Sequence, residues 1–281
     1  GPTGTGLGNN GTGRPGSGVS TTASKPGPRG KGRESAVPAV ATSDVPAIPE
    51  ANFEITEDVA LGSGGQMTKY RDNVAAIKAL KTIEAERRRA TAAEKKLLAR
   101  YVGWGGIPNA FRNGVTGQVA KDWEAEVSEL ESLLTPKELR AASASTRNAH
   151  YTAKEVVDFM WSVVKKMGFD GGLVLEPSVG TGNFIGLMPK ELSGRSFVTG
   201  VELDSLTSRI AGALYPKSAI VNTGFQKAAL PSNRFKLAIG NPPFGAESLR
   251  FQYRPELNGA SIHNQFFLGS MDSLEPGGIM T

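Results

Sequence analysis

The four residues at positions 241–244, Asn-Pro-Pro-Phe, combine groups that can act on an aromatic amine. The nitrogen of such an amine is a poor nucleophile, because its lone pair is delocalised into the ring. The Asn241 side-chain oxygen and the Pro242 carbonyl could accept its two hydrogens and localise the lone pair. Pro242 and Pro243 stiffen the corner, and Phe244 offers a flat face for an extruded base. These four are the candidate catalytic residues, although a lone NPPF can also be only a rigid corner.

A glycine-rich loop, EPSVGTGNF, occupies positions 176–184. Gly180 and Gly182 allow a sharp turn close to a ligand, and free N–H groups begin the helix that follows. Further along, the Glu202 carboxylate could accept hydrogen bonds from both hydroxyls of a ribose. The pair indicates a nucleoside-containing cofactor. A dinucleotide fingerprint is incomplete, because Ile185 stands where its third glycine belongs, and no phosphate-binding GxxxxGK[ST] run is present.

The elements that must position these residues follow from an alternating pattern after residue 146. Short apolar runs predict buried parallel strands, and helix-like segments between them predict crossovers. The predicted strands are 173–176, 197–202, 218–222 and 236–240, and the predicted crossover helices are 183–192 and 204–215. This pattern predicts an open, doubly wound α/β sheet, with ligands at the carboxyl ends of its strands.

Residues 53–146 predict a small helical layer before the sheet. An apolar stripe at spacings of three predicts one helix, and two capping boxes predict the starts of two more, at Thr91 with Glu94 and at Thr135 with Glu138. In the second helix, Leu97, Leu98 and Tyr101 are expected to face inward. The stripe of the first helix is Val74, Ile77, Leu80 and Ile83.

A GWGG motif around Trp104 lies between these helices. Its glycines predict backbone conformations that other residues avoid, with the indole buried or stacked. A tight corner pinned by the indole and a nucleic-acid or domain-docking surface both remain open. Residues 1–52 are rich in Gly, Pro and Ser and predict a disordered tail.

Composition sets broad limits on the partners. The net charge of +5 makes nucleic acid a plausible partner. Cysteine is absent, which fits a reducing compartment, and the two histidines, His150 and His263, are far apart, so no metal site is expected. No apolar run is long enough to span a bilayer. We expect a cytoplasmic protein without a membrane partner.

The glycine loop, Glu202 and NPPF together resemble the S-adenosylmethionine-dependent amino-methyltransferases. Upstream, residues 150–167 place Thr152 and Glu155 as a capping box, with Val156 beginning an apolar face that continues through Met160, Val163 and Met167. In DNA adenine methyltransferases with this motif order, a similar Tyr-Thr-Pro-x-Glu segment contacts the methionine end of the cofactor. The resemblance therefore implies S-adenosylmethionine as cofactor and the N6 amine of adenine in DNA as substrate; Ala153 replaces the usual proline.

The same resemblance implies a set of cofactor contacts. Glu176 would lie near the methionyl amino group, Glu202 would hold the ribose, and Leu203 would pack on the adenine. Where many relatives have an acidic residue after the third strand, this chain offers Phe225 and Gln226 instead. The full set is Tyr151, Thr152, Glu176, Pro177, Gly180, Thr181, Gly182, Asn183, Phe184, Glu202, Leu203, Phe225 and Gln226.

More specifically, residues 53–281 resemble the methylase portion of large methylase–helicase proteins of phages and plasmids, some of which protect incoming DNA from restriction. The resemblance implies a remainder of a larger polypeptide, or partner subunits. It also implies a location in the cytoplasm of a host cell or in a phage particle. Residues 274–281 are expected to form only the turn into a fifth strand, which would leave the outer edge of the fourth strand open or partly covered. We then expect a core truncated at the fifth strand, weak in cofactor binding and doubtful as a standalone catalyst.

Two other functions fit the same residues. One is methylation of the guanine N2 amine of RNA or of a protein glutamine, because both are planar amines. The other is an inactive methyltransferase-like module that binds DNA or proteins and acts against restriction by occlusion.

Overall fold

The computed structural model describes residues 51–281 except 60, 147–151, 246 and 253. The predicted tail therefore lies outside the described residues, apart from its last two. The helices are α1 (Gln66–Ala85), α2 (Ala92–Ala99), α3 (Glu124–Leu133), α4 (Pro136–Ser145), α5 (Lys154–Lys166), α6 (Asn183–Gly186), α7 (Lys190–Ser193), α8 (Ser205–Leu214) and α9 (Ile262–Ser273). The strands are β1 (Gly172–Glu176), β2 (Ser196–Glu202), β3 (Ala219–Asn222), β4 (Phe235–Ala238) and β5 (Leu274–Met280).

The strands form one parallel sheet in the order β3-β2-β1-β4-β5. The predicted doubly wound α/β sheet is confirmed, and all four predicted strands agree with it to within two residues. Parallel strands need crossovers, and α8 makes the one between β2 and β3. The predicted helix over 183–192 is instead two short helices, α6 and α7, because Pro189 has no N–H with which to continue α6.

The expected open edge on the fourth strand is wrong. Residues 274–280 are β5, which pairs with β4 from Phe235 to Ala238 with one irregularity after Phe235. Pro276 and Gly277 are typical turn residues and predicted a turn here; Gly277 has a φ of 83°. Backbone pairing with β4 outweighs that local preference.

The helical layer contains an aromatic core that is continuous with the core on one face of the sheet. The predicted stripe of α1 is buried, and both predicted capping boxes are present at α2 and α4. Trp104 is 1% exposed and packs edge-on against Phe111, with ring centroids 5.2 Å apart. Gly103 and Gly106 have φ values of 67° and 78°. The GWGG motif is therefore a tight corner pinned by the indole, as one of the two interpretations predicted.

Ion pairs and backbone hydrogen bonds fix this layer to the sheet. Arg209 of α8 donates to the Glu84 carboxylate of α1 at 2.7 and 2.9 Å, and also to Glu138 of α4. The Phe53 N–H donates to the Leu214 carbonyl at 2.9 Å. The helix after β2 is thus held from several sides.

On two helices, the predicted apolar face differs from the face that is buried in the structure. Leu97 is exposed, while Leu98 and Tyr101 are buried as predicted. In α5, Val156 and Met167 are exposed and Met160 and Val163 are only half-buried. The buried stripe is the neighbouring one: Val157, Trp161 and Val164.

The predicted capping box at the start of α5 is absent. The helix begins one residue late for it, with Ala153 as its N-cap and no side-chain cap. Thr152 therefore lies outside the capping position. Among the described helices, none is long and apolar enough to cross a membrane.

Candidate active site

Three of the predicted site elements meet at one edge of the sheet. The glycine loop follows β1, Glu202 ends β2, and residues 241–244 follow β4 shortly after its end. Strand β1 lies between β2 and β4. Because the strands are parallel, their carboxyl ends share an edge, and the loops that follow them are neighbours.

The glycine loop turns in left-handed backbone conformations. Gly180 and Gly182 have φ values of 56° and 86°, and the Gly182 N–H closes the turn on the Val179 carbonyl at 2.8 Å. The side chain of Tyr215 lies directly against the turn, so that a Cβ on Gly182 would come within 2.4 Å of its ring. Gly182 is therefore required by packing inside the protein as well as by its backbone angle.

Glu202 lies where the loop and β2 meet. Its carboxylate accepts the Gly180 N–H at 2.9 Å and the Asp204 N–H at 2.7 Å, one on each oxygen. Burial raises its pKa from 4.5 to about 7, with a further contribution from the Asp204 charge, while these N–H groups act in the opposite direction. Each oxygen retains acceptor capacity beyond its one backbone bond, which is the capacity that a ribose diol needs.

Glu176 lies at the base of the same loop and is buried. Burial, followed by the charge of Glu202, holds its pKa well above the usual 4.5. Within the described part of the chain, its Oε2 atom has no hydrogen-bond partner, and neither does the buried hydroxyl of Tyr215. A buried acceptor without a donor is costly. An amino group from a ligand would satisfy it.

The NPPF corner contacts the glycine loop directly. The Ser178 hydroxyl donates to the Asn241 carbonyl at 3.1 Å. A Cβ on Gly240 would lie 3.5 Å from side-chain atoms of Glu176 and Pro177. Asn241 is exposed, Pro242 and Pro243 are half-buried, and the Phe244 side chain is 69% exposed. The amide and the ring of this motif are therefore accessible beside the loop.

Phe225 is not available for the cofactor contact that the sequence predicted. Its ring is buried, stacked on Phe266 with centroids 4.6 Å apart and packed edge-on against Phe251. No face of the ring is left for a cofactor, because this ring belongs to the core on that side of the sheet. Leu203, in contrast, is 75% exposed after Glu202 and remains available to pack on a flat ligand.

The remaining predicted cofactor contacts differ in their exposure. Pro177, Thr181, Asn183 and Phe184 are buried in the loop and its helix, while Thr152 and Gln226 are half-buried. Tyr151 lies outside the described residues. Helix α5 reaches the loop through Trp161, whose indole N–H donates to the Phe184 carbonyl at 3.1 Å.

Sequence reasoning missed several residues that support the site. Tyr215 lies against the glycine loop, and Ser178 joins it to Asn241. Tyr101 reaches the end of β2 from the helical layer, where burial and the charges of Asp204 and Glu202 raise its pKa. The sequence marked Tyr101 only as an inward-facing residue and did not mark Tyr215, since their roles at the site depend on contacts between distant segments. Ser178 lies inside the glycine-loop motif, so its position could have indicated a contact at the site.

The chain has one clear similarity to a curated protein. It is 31% identical over 134 residues to "Defense against restriction protein B" of Escherichia phage P1. The match covers 47% of this chain and only 6% of that protein. No protein-family model matches the chain.

Two solved structures align with parts of the chain at low sequence identity. One is a putative class I S-adenosylmethionine-dependent methyltransferase of Listeria monocytogenes, at 15% identity, covering 76% of this chain and 72% of that one, with a TM-score of 0.42. Another is a type I restriction-modification methyltransferase subunit of Streptococcus thermophilus, at 12% identity, 74% and 54% coverage, and a TM-score of 0.41.

Proposed function

We propose that the chain transfers a methyl group from S-adenosylmethionine to the N6 amine of adenine in DNA. One observation carries this proposal: the exposed Asn-Pro-Pro-Phe corner lies against the glycine loop, joined to it by the bond from Ser178 to Asn241. An amine held at the corner would therefore be beside a cofactor held at the loop. Positioning of this kind is a large part of catalysis when the cofactor supplies the reactive group.

The residues around the loop fit the parts of this cofactor. The Glu202 oxygens would accept from the ribose hydroxyls, and Leu203 would pack on the adenine. The orphaned Oε2 of Glu176 would accept from the methionyl amino group. When bound, S-adenosylmethionine supplies an electrophilic methyl group on its sulfonium.

The corner would prepare the amine of the target base. The Asn241 side-chain oxygen and the Pro242 carbonyl would accept its two hydrogens, so that the nitrogen lone pair becomes available for attack. As the new carbon–nitrogen bond formed, the methyl–sulfur bond would break with its electron pair left on sulfur, and the amine would then lose one of these hydrogens as a proton to solvent. Phe244 would stack on the extruded base, which must leave the duplex to reach the site.

The proposed setting is protection of DNA against restriction, as part of a larger protein. Its support is the similarity to "Defense against restriction protein B" of phage P1, of which the matched segment is a small part. Methylation of a target base is one chemical means of such protection.

The test supplies methyl-labelled cofactor together with unmethylated DNA, RNA and protein, and follows the label by mass spectrometry of nucleosides and peptides. We expect label in N6-methyladenine from DNA. Label in N2-methylguanine or methylglutamine would instead identify the other amine substrates. The absence of saturable heat on titration with S-adenosylmethionine would identify a binding module without this chemistry.

A matched pair of variants separates base stacking from general damage. Phe244 and Phe197 are both exposed phenylalanines, but Phe197 lies at the amino end of β2, at the edge of the sheet opposite the corner. Phe244→Ala should reduce transfer by about 5- to 150-fold, since stacking contributes about 1–3 kcal/mol per base. Phe197→Ala should leave transfer nearly unchanged.

A further inference from the structure

A second concave surface lies in the helical layer, apart from the candidate active site. It is an open cleft of about 720 Å³ between residues 108–120 and the C-terminal half of α4. None of its lining residues belongs to the glycine loop, to the end of β2 or to the NPPF corner. Neither the catalytic proposal nor the aromatic core accounts for it.

Hydrogen-bond donors and positive charge line this cleft. Within the described part of the chain, no Asp or Glu is among its lining residues, and the polar side chains include Asn109, Arg112, Asn113, Gln118, Arg140 and Ser143. The sequence explains this bias, since residues 95–121 and 139–154 contain no acidic residue. Two acid-free stretches of chain thus fold together around one concave surface.

The two arginines differ in what they contact. Arg112 binds the Glu131 carboxylate with two nitrogens, at 2.6 and 3.1 Å, so its charge is partly neutralised. Arg140 is exposed and makes no ion pair within the described part of the chain. Arg140 is therefore the cation that the cleft can offer to a ligand at little cost.

One wall of the cleft is a preformed turn. The Asn113 N–H donates to the Gln118 carbonyl and the Gly117 N–H to the Asn113 carbonyl, both at 2.8 Å. The Asn113 side chain also accepts two backbone N–H groups of the turn, at 2.9 Å. Val115 is held at the tip with 96% of its side chain exposed. Such a wall loses little conformational entropy when a ligand binds.

We propose that this cleft binds the phosphodiester backbone of DNA. Its donors and its uncompensated arginine suit phosphate oxygens. Most of its lining residues are exposed, so it is an open trough suited to a passing polymer, whereas a small anion is usually enclosed on most sides. The choice of DNA as the polymer rests on the proposed function.

The test is the salt dependence of DNA binding by the whole chain, with Arg140→Gln compared with Lys166→Gln. Lys166 is also an exposed helical cation, in the last turn of α5. Loss of one phosphate contact should weaken binding several-fold and make the slope of log K against log salt shallower by about 0.9. The Lys166 variant should keep the wild-type slope.

Three results would overturn the inference. The Arg140 variant and the Lys166 control could show the same slope and affinity, the wild type could fail to bind DNA, or a free nucleotide could displace DNA at concentrations too low to act as salt. Calorimetry with S-adenosylmethionine on the same variants distinguishes a failure of the cleft proposal from a failure of the proposed function. If the Arg140 variant binds both the cofactor and DNA as the wild type does, only the cleft proposal is refuted. If the wild type does not bind the cofactor, the catalytic proposal is refuted.

Discussion

The raised pKa of Glu202 predicts a specific dependence of stability on pH. In the unfolded chain this carboxyl has its ordinary pKa of 4.5, and in the folded protein its pKa is about 7. Between these values the folded state holds a proton that the unfolded state has lost. The contribution of Glu202 to stability is therefore fully present below pH 4.5 and is lost as the pH rises through 7.

The size of this effect follows from the shift itself. Each pKa unit corresponds to 1.36 kcal/mol, so a shift from 4.5 to about 7 corresponds to about 3 kcal/mol. Removing the Glu202 charge also relieves Glu176, because that charge is one cause of its raised pKa. Both effects have the same sign.

The assay is urea unfolding of the wild type and of Glu202→Gln at several pH values from 4.5 to 8. The free energy of unfolding of the wild type, relative to the variant, should fall by about 3 kcal/mol across this range. The control is Glu191→Gln, since Lys165 lowers the pKa of Glu191 and its contribution should be flat above pH 5. An equal wild-type advantage in the free energy of unfolding at pH 5 and pH 8 would refute the raised pKa of Glu202.

Two further substitutions test the packing beneath the loop. Gly182→Ala would place a Cβ 2.4 Å from the Tyr215 ring at a φ of 86°, so it should lower the free energy of unfolding by about 2–4 kcal/mol in urea titrations. Gly212→Ala, in α8 with open space around it, should be neutral or stabilising, and equal effects at the two glycines would contradict the steric argument. Trp161→Phe removes the N–H bond to the Phe184 carbonyl and should cost about 1–3 kcal/mol by the same measurement. An unchanged unfolding midpoint would show that this bond does not hold α5 to the loop.

Local sequence signals predicted the parts of the fold that depend on local structure. The capping boxes at Thr91 and Thr135 are present because each has a hydroxyl and a carboxylate three residues apart and its threonine is the N-cap of the helix. The capping box predicted at Thr152 is absent, because α5 begins at Lys154, whereas the box requires a helix that begins at Ala153. The pattern could not reveal that offset.

Tertiary contacts decided the features that the sequence could not predict. Two apolar stripes lie side by side on α5, and periodicity alone does not choose between them. The one that contains Trp161 is buried, where its indole reaches the Phe184 carbonyl. Phe225 likewise looked like a ligand contact by its position after β3, but Phe266 from a distant helix occupies its face.

The candidate site was predictable in outline, since its motifs follow strands whose order is typical of such sheets. The glycine loop, Glu202 and Asn241 come together as expected. The orphaned oxygen of Glu176 and the contact of Tyr215 with the loop were not predictable, because they depend on exact packing.

The most direct test of the central claim is a pair of measurements on Asn241→Ala. Asn241 is exposed, and among the described residues the glycine loop bonds to its backbone carbonyl, through the Ser178 hydroxyl, and not to its side chain. The account predicts that methyl transfer to DNA adenine is lost while the affinity for S-adenosylmethionine stays within about twofold of the wild type. Transfer that persists, or cofactor binding that collapses with it, would contradict the division of roles between the amine clamp and the cofactor loop.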